Sequence, residues 1–283
     1  MNALSIGLKT IVLTTVAMIA FAANSVICRK ALGTDAIDAV SFSTIRLVSG
    51  ALVLFILTLK KGHAQSAHRS WVPALMLMLY AFCFSFAYLT LDTGTGALIL
   101  FGSVQITMIL VSWFAGNRLS PWEWIGLLLA FGGFVYLILP GIHAPPILGF
   151  VLMALAGYGW GMYSLKGRGS QFPLIDTSLN FLRTVPLSLV LMAGFVHMID
   201  LSRTGILLAV LSGAVTSGIG YAIWYAALRG LTATRAAVVQ LSVPIIAALG
   251  GVLFVGESIG WRLALSTTLI LGGILVVIMG RQR

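Results

Sequence analysis

Tyr221, Trp224 and Tyr225 stand at i, i+3 and i+4 in the stretch "SGIGYAIWYAALRG". A helix would therefore present all three rings on one face. Tyr80, Phe84 and Tyr88 follow one another at i+4 steps, and Tyr158, Trp160 and Tyr163 lie among Gly157, Gly159 and Gly161. Rings gathered from several helices would line a cavity suited to flat apolar solutes, through buried area and ring contacts. Packing or lipid contact is the alternative for any single ring. Asn24 lies within an apolar run. An amide is costly in lipid, so it should face protein or a cavity, binding a solute's amino or carboxylate group or joining two helices. In "VVQLSVPIIAALGG", Pro244 removes the N–H that would reach the carbonyl of Gln240. Backbone irregularity at membrane depth is tolerated where it faces a polar cavity, or where a neighbouring helix covers the kink. The candidate solute-binding residues are thus Asn24, Tyr80, Phe84, Tyr88, Trp160, Tyr163, Tyr221, Trp224, Tyr225 and Gln240, with Pro244 as a candidate gating residue.

Other chemistry is sparse. The seven acids (Asp35, Asp38, Asp92, Glu123, Asp176, Asp200 and Glu257) all fall in expected loops or at helix ends. Proton-coupled pumps usually place a carboxylate or histidine inside the bundle. The simplest expectation is therefore movement of a solute down its own gradient, with an acid at a cavity mouth as the remaining route for a proton. His63, His68, His143 and His197 lie in or near loops, and no Cys/His cluster has metal spacing, so no metal or cofactor is expected. Cys28 and Cys83 read as small buried hydrophobes. Arg46 and Arg183 fall inside apolar segments near helix starts, where snorkelling to the headgroups is the expected behaviour. Arg29 and Lys30 close the first helix, as anchors or as guides for a carboxylate.

These residues need long apolar elements to hold them. The 283-residue chain is 59% hydrophobic and 8% charged. So few charges cannot keep a soluble surface wet, which fixes the class as all-α polytopic membrane protein. The net charge of +10 is accounted for by short basic loops and needs no nucleic-acid partner. Ten stretches near the length a bilayer demands are expected at 8–28, 39–59, 71–91, 95–115, 122–139, 147–166, 177–198, 205–227, 234–255 and 261–279. Lys9, the apolar run and "AFA" at Ala20–Ala22 imitate a signal peptide, but the run continues to Cys28 and reads as the first span.

With the N-terminus cytoplasmic, that side carries Lys9, Lys60, Lys61, Arg69, Arg118, Lys166, Arg168, Arg229, Arg235, Arg281 and Arg283. The other side carries Arg29, Lys30, Arg203 and Arg262, a split of 11 to 4 that favours both termini inside. "LLLAFGGFVYLI" matches "STTLILGGILVVIM" at an offset of 140, pairing Gly132–Gly133 with Gly272–Gly273, Phe84 with Trp224, Val104 with Pro244 and Asn117 with Glu257. Nearer the N-terminus the offset is 137, pairing Arg29 with Lys166 and Arg46 with Arg183. Each copy holds five helices. An odd number makes the second copy enter from the opposite face, so the fold is ten transmembrane helices as two inverted five-helix repeats, 1–140 and 141–283. Gly157/Gly161 and Gly213/Ser217 carry the spacing that allows close helix contact.

Pro244, then Gly256-Glu257 at the end of the same segment, then Gly272-Gly273, resemble the drug/metabolite transporter superfamily and its ten-helix EamA-like exporters. The first half departs from that pattern, with Val104 where the proline would stand and Asn117 where the glutamate would. Within the superfamily the sequence is most similar to bacterial inner-membrane exporters of aromatic amino acids. The resemblance implies a multi-pass carrier in the lipid bilayer of the inner membrane. It would export small amphipathic metabolites, with a small-molecule substrate. The inverted repeat adds alternating access, the absence of mid-membrane acids adds a facilitator, and no obligatory protein partner is evident. The alternatives are proton-coupled export of another metabolite or drug, and a membrane-embedded lipid-modifying enzyme.

Overall fold

The computed structural model describes residues 3–59, 70–116, 120–139, 144–167, 170–231 and 233–280. Asn117, Lys60, Lys61, Arg69, Arg118, Arg168, Arg281, Arg283, His63, His68 and His143, used in the sequence reading, lie outside the described residues. The helices are α1 (Ala3–Gly33), α2 (Ala39–Leu59), α3 (Val72–Tyr88), α4 (Thr93–Phe114), α5 (Pro121–Ile138), α6 (Ile147–Gly167), α7 (Pro173–Gly194), α8 (Arg203–Leu228), α9 (Arg235–Val255) and α10 (Trp261–Gly280). Nine are long and apolar enough to cross a bilayer, and α3 is a shorter apolar helix of 17 residues. Large apolar side chains on their outer faces stay exposed, among them Phe114, Phe131 and Leu253. A water-soluble monomer does not expose such a surface. Trp71, Trp122, Trp124 and Trp261 sit at helix starts, where indole rings occupy the headgroup level. The protein is a multi-pass membrane protein.

Local signals set the helix ends. Ser120 accepts from the Glu123 N–H at 3.3 Å while Glu123 accepts from the Ser120 N–H at 2.7 Å, a reciprocal cap that starts α5 just before Pro121. The packing is symmetric between the halves. Three helices pack on their own repeat mates: α5 on α10, α2 on α7 and α4 on α9. α1 sits against α8 and α9 as α6 sits against α3 and α4. This is the arrangement an inverted pair of five-helix repeats requires. At the α5–α10 contact, Gly126 and Gly273 face each other so closely that a Cβ on either would strike the other's carbonyl. Gly157 and Gly161 lie against Ser103 and Thr107 of α4, the close approach their spacing allows. Cys28 is buried and Cys83 half-buried, both free thiols.

Because ten helices cross, both chain ends lie on one side, here termed the terminal side; the opposite side is distal. α1 and α3 run toward the distal side, α2 and α8 away from it.

Candidate functional site

Two helices lose their regular form where they meet the centre. α9 breaks at Leu241–Ser242, where the N–H groups of both residues bond three residues back, to Val238 and Val239, at 3.1 Å. Pro244 then sits at the start of the second half, where its missing N–H costs nothing, and is itself packed away. α8 widens into a π-helical stretch over Leu211–Ile219. Such bulges are frequent at functional sites. Here Ser212, Thr216 and Ser217 all turn inward and are almost fully buried.

The aromatic residues form a connected run. Phe84 meets Tyr80 at 5.4 Å between ring centroids, Tyr80 meets Trp160 at 5.0 Å, and Trp160 meets Tyr163 at 5.4 Å and Tyr221 at 5.1 Å. Phe21 of α1 closes the run with edge contacts to Tyr221 at 5.8 Å and Trp224 at 5.9 Å. Below it lies a cavity of about 750 Å³. Trp160, Tyr163, Tyr221, Trp224, Tyr225 and Gln240 line its wall, with Gln105 of α4 among them. That volume lies within the range of small-molecule sites. Its exposed rim includes Gln171, Phe172 and Arg229, so it opens on the terminal side. Gln240 faces this space, although its amide nitrogen also donates to the Ala236 carbonyl at 3.2 Å. Tyr163 donates to Thr177 Oγ1 at 3.1 Å, and that hydroxyl donates to Tyr225 at 3.0 Å, which holds two of the rings in place.

Above the aromatic run is a second, smaller chamber of about 20 Å³, large enough for a water molecule. Asn24, Tyr80, Phe84, Trp160 and Tyr221 line it. Trp160 and Tyr221 belong to both spaces and form the partition between them. The Asn24 carbonyl oxygen accepts from Ser212 Oγ at 2.7 Å and Thr216 Oγ1 at 3.1 Å, and its amide nitrogen points to Tyr80 Oη at 3.5 Å.

Arg46 corrects the expectation of snorkelling. It is the largest side chain among those almost completely buried. Its Nη2 donates to Tyr80 Oη at 2.8 Å and its Nε to Ser217 Oγ at 3.3 Å. Its guanidinium lies 5.0 and 4.9 Å from the ring centroids of Tyr80 and Phe84. Snorkelling fails because the surrounding α3 and α8 side chains enclose the head and supply its partners. Its repeat mate Arg183 is only half-buried: it donates to the Ser70 carbonyl at 2.8 Å and lies over Trp71.

Tyr88 stands apart from both spaces. It is fully buried at the distal end of α3, edge-on to Phe84 at 4.8 Å, with its hydroxyl donating to the Thr93 carbonyl. Above it the distal side is tied shut. Gly256 ends α9 with a left-handed φ of +80°, a conformation only glycine adopts freely. That turn sends Glu257 back toward α4. Both Glu257 oxygens accept from the Thr93 N–H at 2.9 Å, capping α4 from the α9–α10 connection, and one accepts from Arg29 Nε at 3.4 Å. Arg29 also donates to the Tyr88 carbonyl at 3.0 Å and lies 3.7 Å from Asp92. Arg29 therefore ties α1 to the α3–α4 and α9–α10 connections, rather than standing free as a guide for a solute. A second tie joins the α1–α2 and α7–α8 connections: Asp38 N–H donates to the Asp200 carbonyl at 3.1 Å, and Ser202 Oγ to the Ala36 carbonyl at 2.6 Å.

The sequence reading missed Arg46, Ser212, Thr216, Ser217 and Phe21. The run "SGAVTSG", with three hydroxyl residues beside two glycines, was the available signal for the α8 hydroxyls. Among the described residues, no group of three His, Cys, Asp or Glu side chains could hold a metal ion.

Comparison with known proteins gives a consistent result. An uncharacterized protein of Pseudomonas aeruginosa is 48% identical over 274 residues, covering 96% of each chain. A Salmonella typhimurium protein named "Probable amino-acid metabolite efflux pump" is 26% identical over 203 residues, covering 66% of this chain and 68% of its own. A solved crystal structure covers all of both chains with a TM-score of 0.64 at 19% identity, a likeness of fold. The model of the EamA-like transporter family matches twice, over residues 8–139 and 147–279. With two copies of that model spanning nearly its whole length, the chain belongs to the EamA-like transporter family, within the drug/metabolite transporter superfamily.

Proposed function

We propose that the protein is a carrier that exports small amphipathic metabolites, aromatic or other neutral amino acids, by alternating access in the bacterial inner membrane, with both termini cytoplasmic. The observation that carries this reading is the pairing of an aromatic-lined cavity of about 750 Å³, open on the terminal side, with a distal side closed by Arg29, Glu257 and Thr93. A site open to one side and tied shut on the other is one half of an alternating-access cycle. The two five-helix repeats, 1–140 and 141–283, would rock about the α5–α10 and α4–α9 contacts to form the other half. The name of the Salmonella relative supports amino-acid metabolites as the cargo. On this reading Trp224 and Tyr221 take the solute's ring, Gln240 and Asn24 its polar groups, and the break at Pro244 gives α9 the freedom to bend.

The test is counterflow in proteoliposomes across the amino acids. Unlabelled solute loaded inside should accelerate uptake of labelled solute, and rates should saturate; a channel shows no such acceleration. As a facilitator, the protein should exchange aromatic amino acids with equal pH on both sides. Proton coupling has one observation in its favour: Asp176 lies in a recess beside Tyr163 and Tyr225, next to the cavity. Flux that appears only with an imposed pH step would favour that reading and place Asp176 first among the residues to change.

A further inference from the structure

The buried Arg46 has no carboxylate beside it. Among the described residues the ion pairs within 4 Å are both made by Arg29, with Asp92 and Glu257, at the distal end. Arg46 begins about 10 Å down α2, seven residues from its start at Ala39. Asn24 and Tyr80 sit nine and eight residues from the distal ends of α1 and α3, at a similar depth. A charge held there without a counter-charge is costly, and proteins rarely retain one that serves packing alone.

The donors around it already define where an anion would sit. Arg46 Nη2, at 2.8 Å, and Asn24 Nδ2, at 3.5 Å, both point at a single neutral oxygen, the Tyr80 hydroxyl. Arg46 Nη1 is buried and has no partner at all. A phenol oxygen is a weak acceptor for a guanidinium. A carboxylate in its place would bring two acceptor oxygens and a full negative charge, and bonds from ionised donors to ionised acceptors are roughly twice as strong as neutral ones. Three N–H groups, two of them from one planar fork, match the bidentate geometry that guanidinium and carboxylate prefer. Tyr80 and Asn24 line the small chamber, and Trp160 and Tyr221 line both it and the large cavity.

We propose that Arg46, with Asn24 Nδ2, is the carboxylate-binding site of the carrier: a solute enters with its ring against Trp160 and Tyr221, and its carboxylate displaces the Tyr80 hydroxyl from the guanidinium. The same buried positive charge repels organic cations, which find no acid in the chamber to receive them. This inference deepens the carrier reading by fixing the substrate class as carboxylates, zwitterionic or anionic, and it rests on that reading only for the direction of transport.

The experiment uses three probes that share a phenyl ring: phenylalanine, 3-phenylpropionate, which lacks the amine, and phenethylamine, which lacks the carboxylate. Binding to the purified full chain is read as ligand-dependent thermal stabilisation, which needs no transport. Phenylalanine and 3-phenylpropionate should bind at least about tenfold more tightly than phenethylamine. Arg46→Gln should weaken both carboxylates by at least about tenfold and leave phenethylamine unweakened. Arg46→Lys, which keeps the charge and loses the fork, should keep the preference for carboxylates at reduced affinity. Equal binding of phenethylamine and 3-phenylpropionate by the unaltered protein overturns the proposal, even if no variant folds. So does an unchanged ratio in Arg46→Gln, or the lack of saturable binding by either carboxylate. Counterflow on the same samples separates the two readings: Arg46-dependent carboxylate binding without exchange overturns the carrier, whereas exchange of amino acids with an unchanged carboxylate-to-amine ratio in Arg46→Gln overturns the anion site alone.

Discussion

At the scale of single residues, ring contact and polar contact make separable demands. Trp224 lines the open cavity and touches Phe21 edge-on. Trp224→Ala removes ring area that only an aromatic solute uses. An aromatic pair contributes about 0.5–1.5 kcal/mol beyond area burial, so apparent affinity for aromatic amino acids should fall about tenfold. Aliphatic ones should lose less. Gln240→Ala removes a polar group that every amino acid can use, and should weaken aromatic and aliphatic substrates alike. Apparent affinities from initial rates at matched membrane levels check both. A uniform loss in Trp224→Ala would mean the ring packs the cavity wall and does not select the solute. Tyr88 offers an internal control: it shares the i+4 ladder with Tyr80 and Phe84 but lies beneath the distal tie. Periodicity put the three on one face, and only depth along the helix distinguished them.

At the scale of the helix, two devices make opposite predictions. The Gly256-Glu257 turn ties α9 to the N-terminus of α4 and, through Arg29, to α1. Glu257→Gln keeps the shape but removes the charge, and hydrogen bonds to charged groups contribute about 1.5–3 kcal/mol. Loss of that contribution should raise the population open on the distal side roughly tenfold or more. Cys28, buried next to Arg29, is a built-in reporter. With Cys83→Ser as background, an impermeant maleimide added on the distal side should label Cys28 faster in Glu257→Gln by about the same factor. An unchanged rate would show that the second tie, Asp38 to Asp200 and Ala36 to Ser202, holds the side shut alone. The break in α9 works the other way. Pro244→Ala restores a backbone donor that can reach the Gln240 carbonyl, stiffening the helix. The protein should stay folded and exchange more slowly. Wild-type flux in Pro244→Ala would reduce the break to a packing feature.

For the whole molecule, the orientation is the open quantity. The proposed orientation rests on the 11-to-4 split of Lys and Arg, which favours the termini, and with them the mouth of the cavity, on the cytoplasmic side. Reporter fusions at the C-terminus, active only on one side, test this directly. A periplasmic C-terminus would turn the aromatic cavity outward and reverse the expected direction of opening. The symmetry between the halves also predicts where the second conformation comes from. Contacts within the pairs α1–α8 and α6–α3 should exchange tight and loose states while α5–α10 keeps its glycine-to-glycine contact throughout.

Much of this was written in the sequence. Ten apolar stretches, a 140-residue offset and an odd number of helices per copy fixed the class and the inverted repeat, because bilayer thickness and backbone satisfaction leave no other spanning form for such a chain. The 3.6-residue period placed Tyr221, Trp224 and Tyr225 on one face, and they line one wall. What the sequence could not supply was which helices face one another and at what depth. Arg46 and Arg183 are repeat mates, each inside an apolar segment, so local rules gave them the same fate. Packing separated them: α3 and α8 close over Arg46 and offer it Tyr80 and Ser217, while Arg183 stays half-buried, over Trp71 and bonded to the Ser70 carbonyl. The π-helical turn that delivers Ser212, Thr216 and Ser217 is likewise a tertiary outcome. It adds about one residue to a helical turn, which no period read from an ideal helix anticipates, and it persists because Asn24 and Arg46 on two other helices hold its hydroxyls.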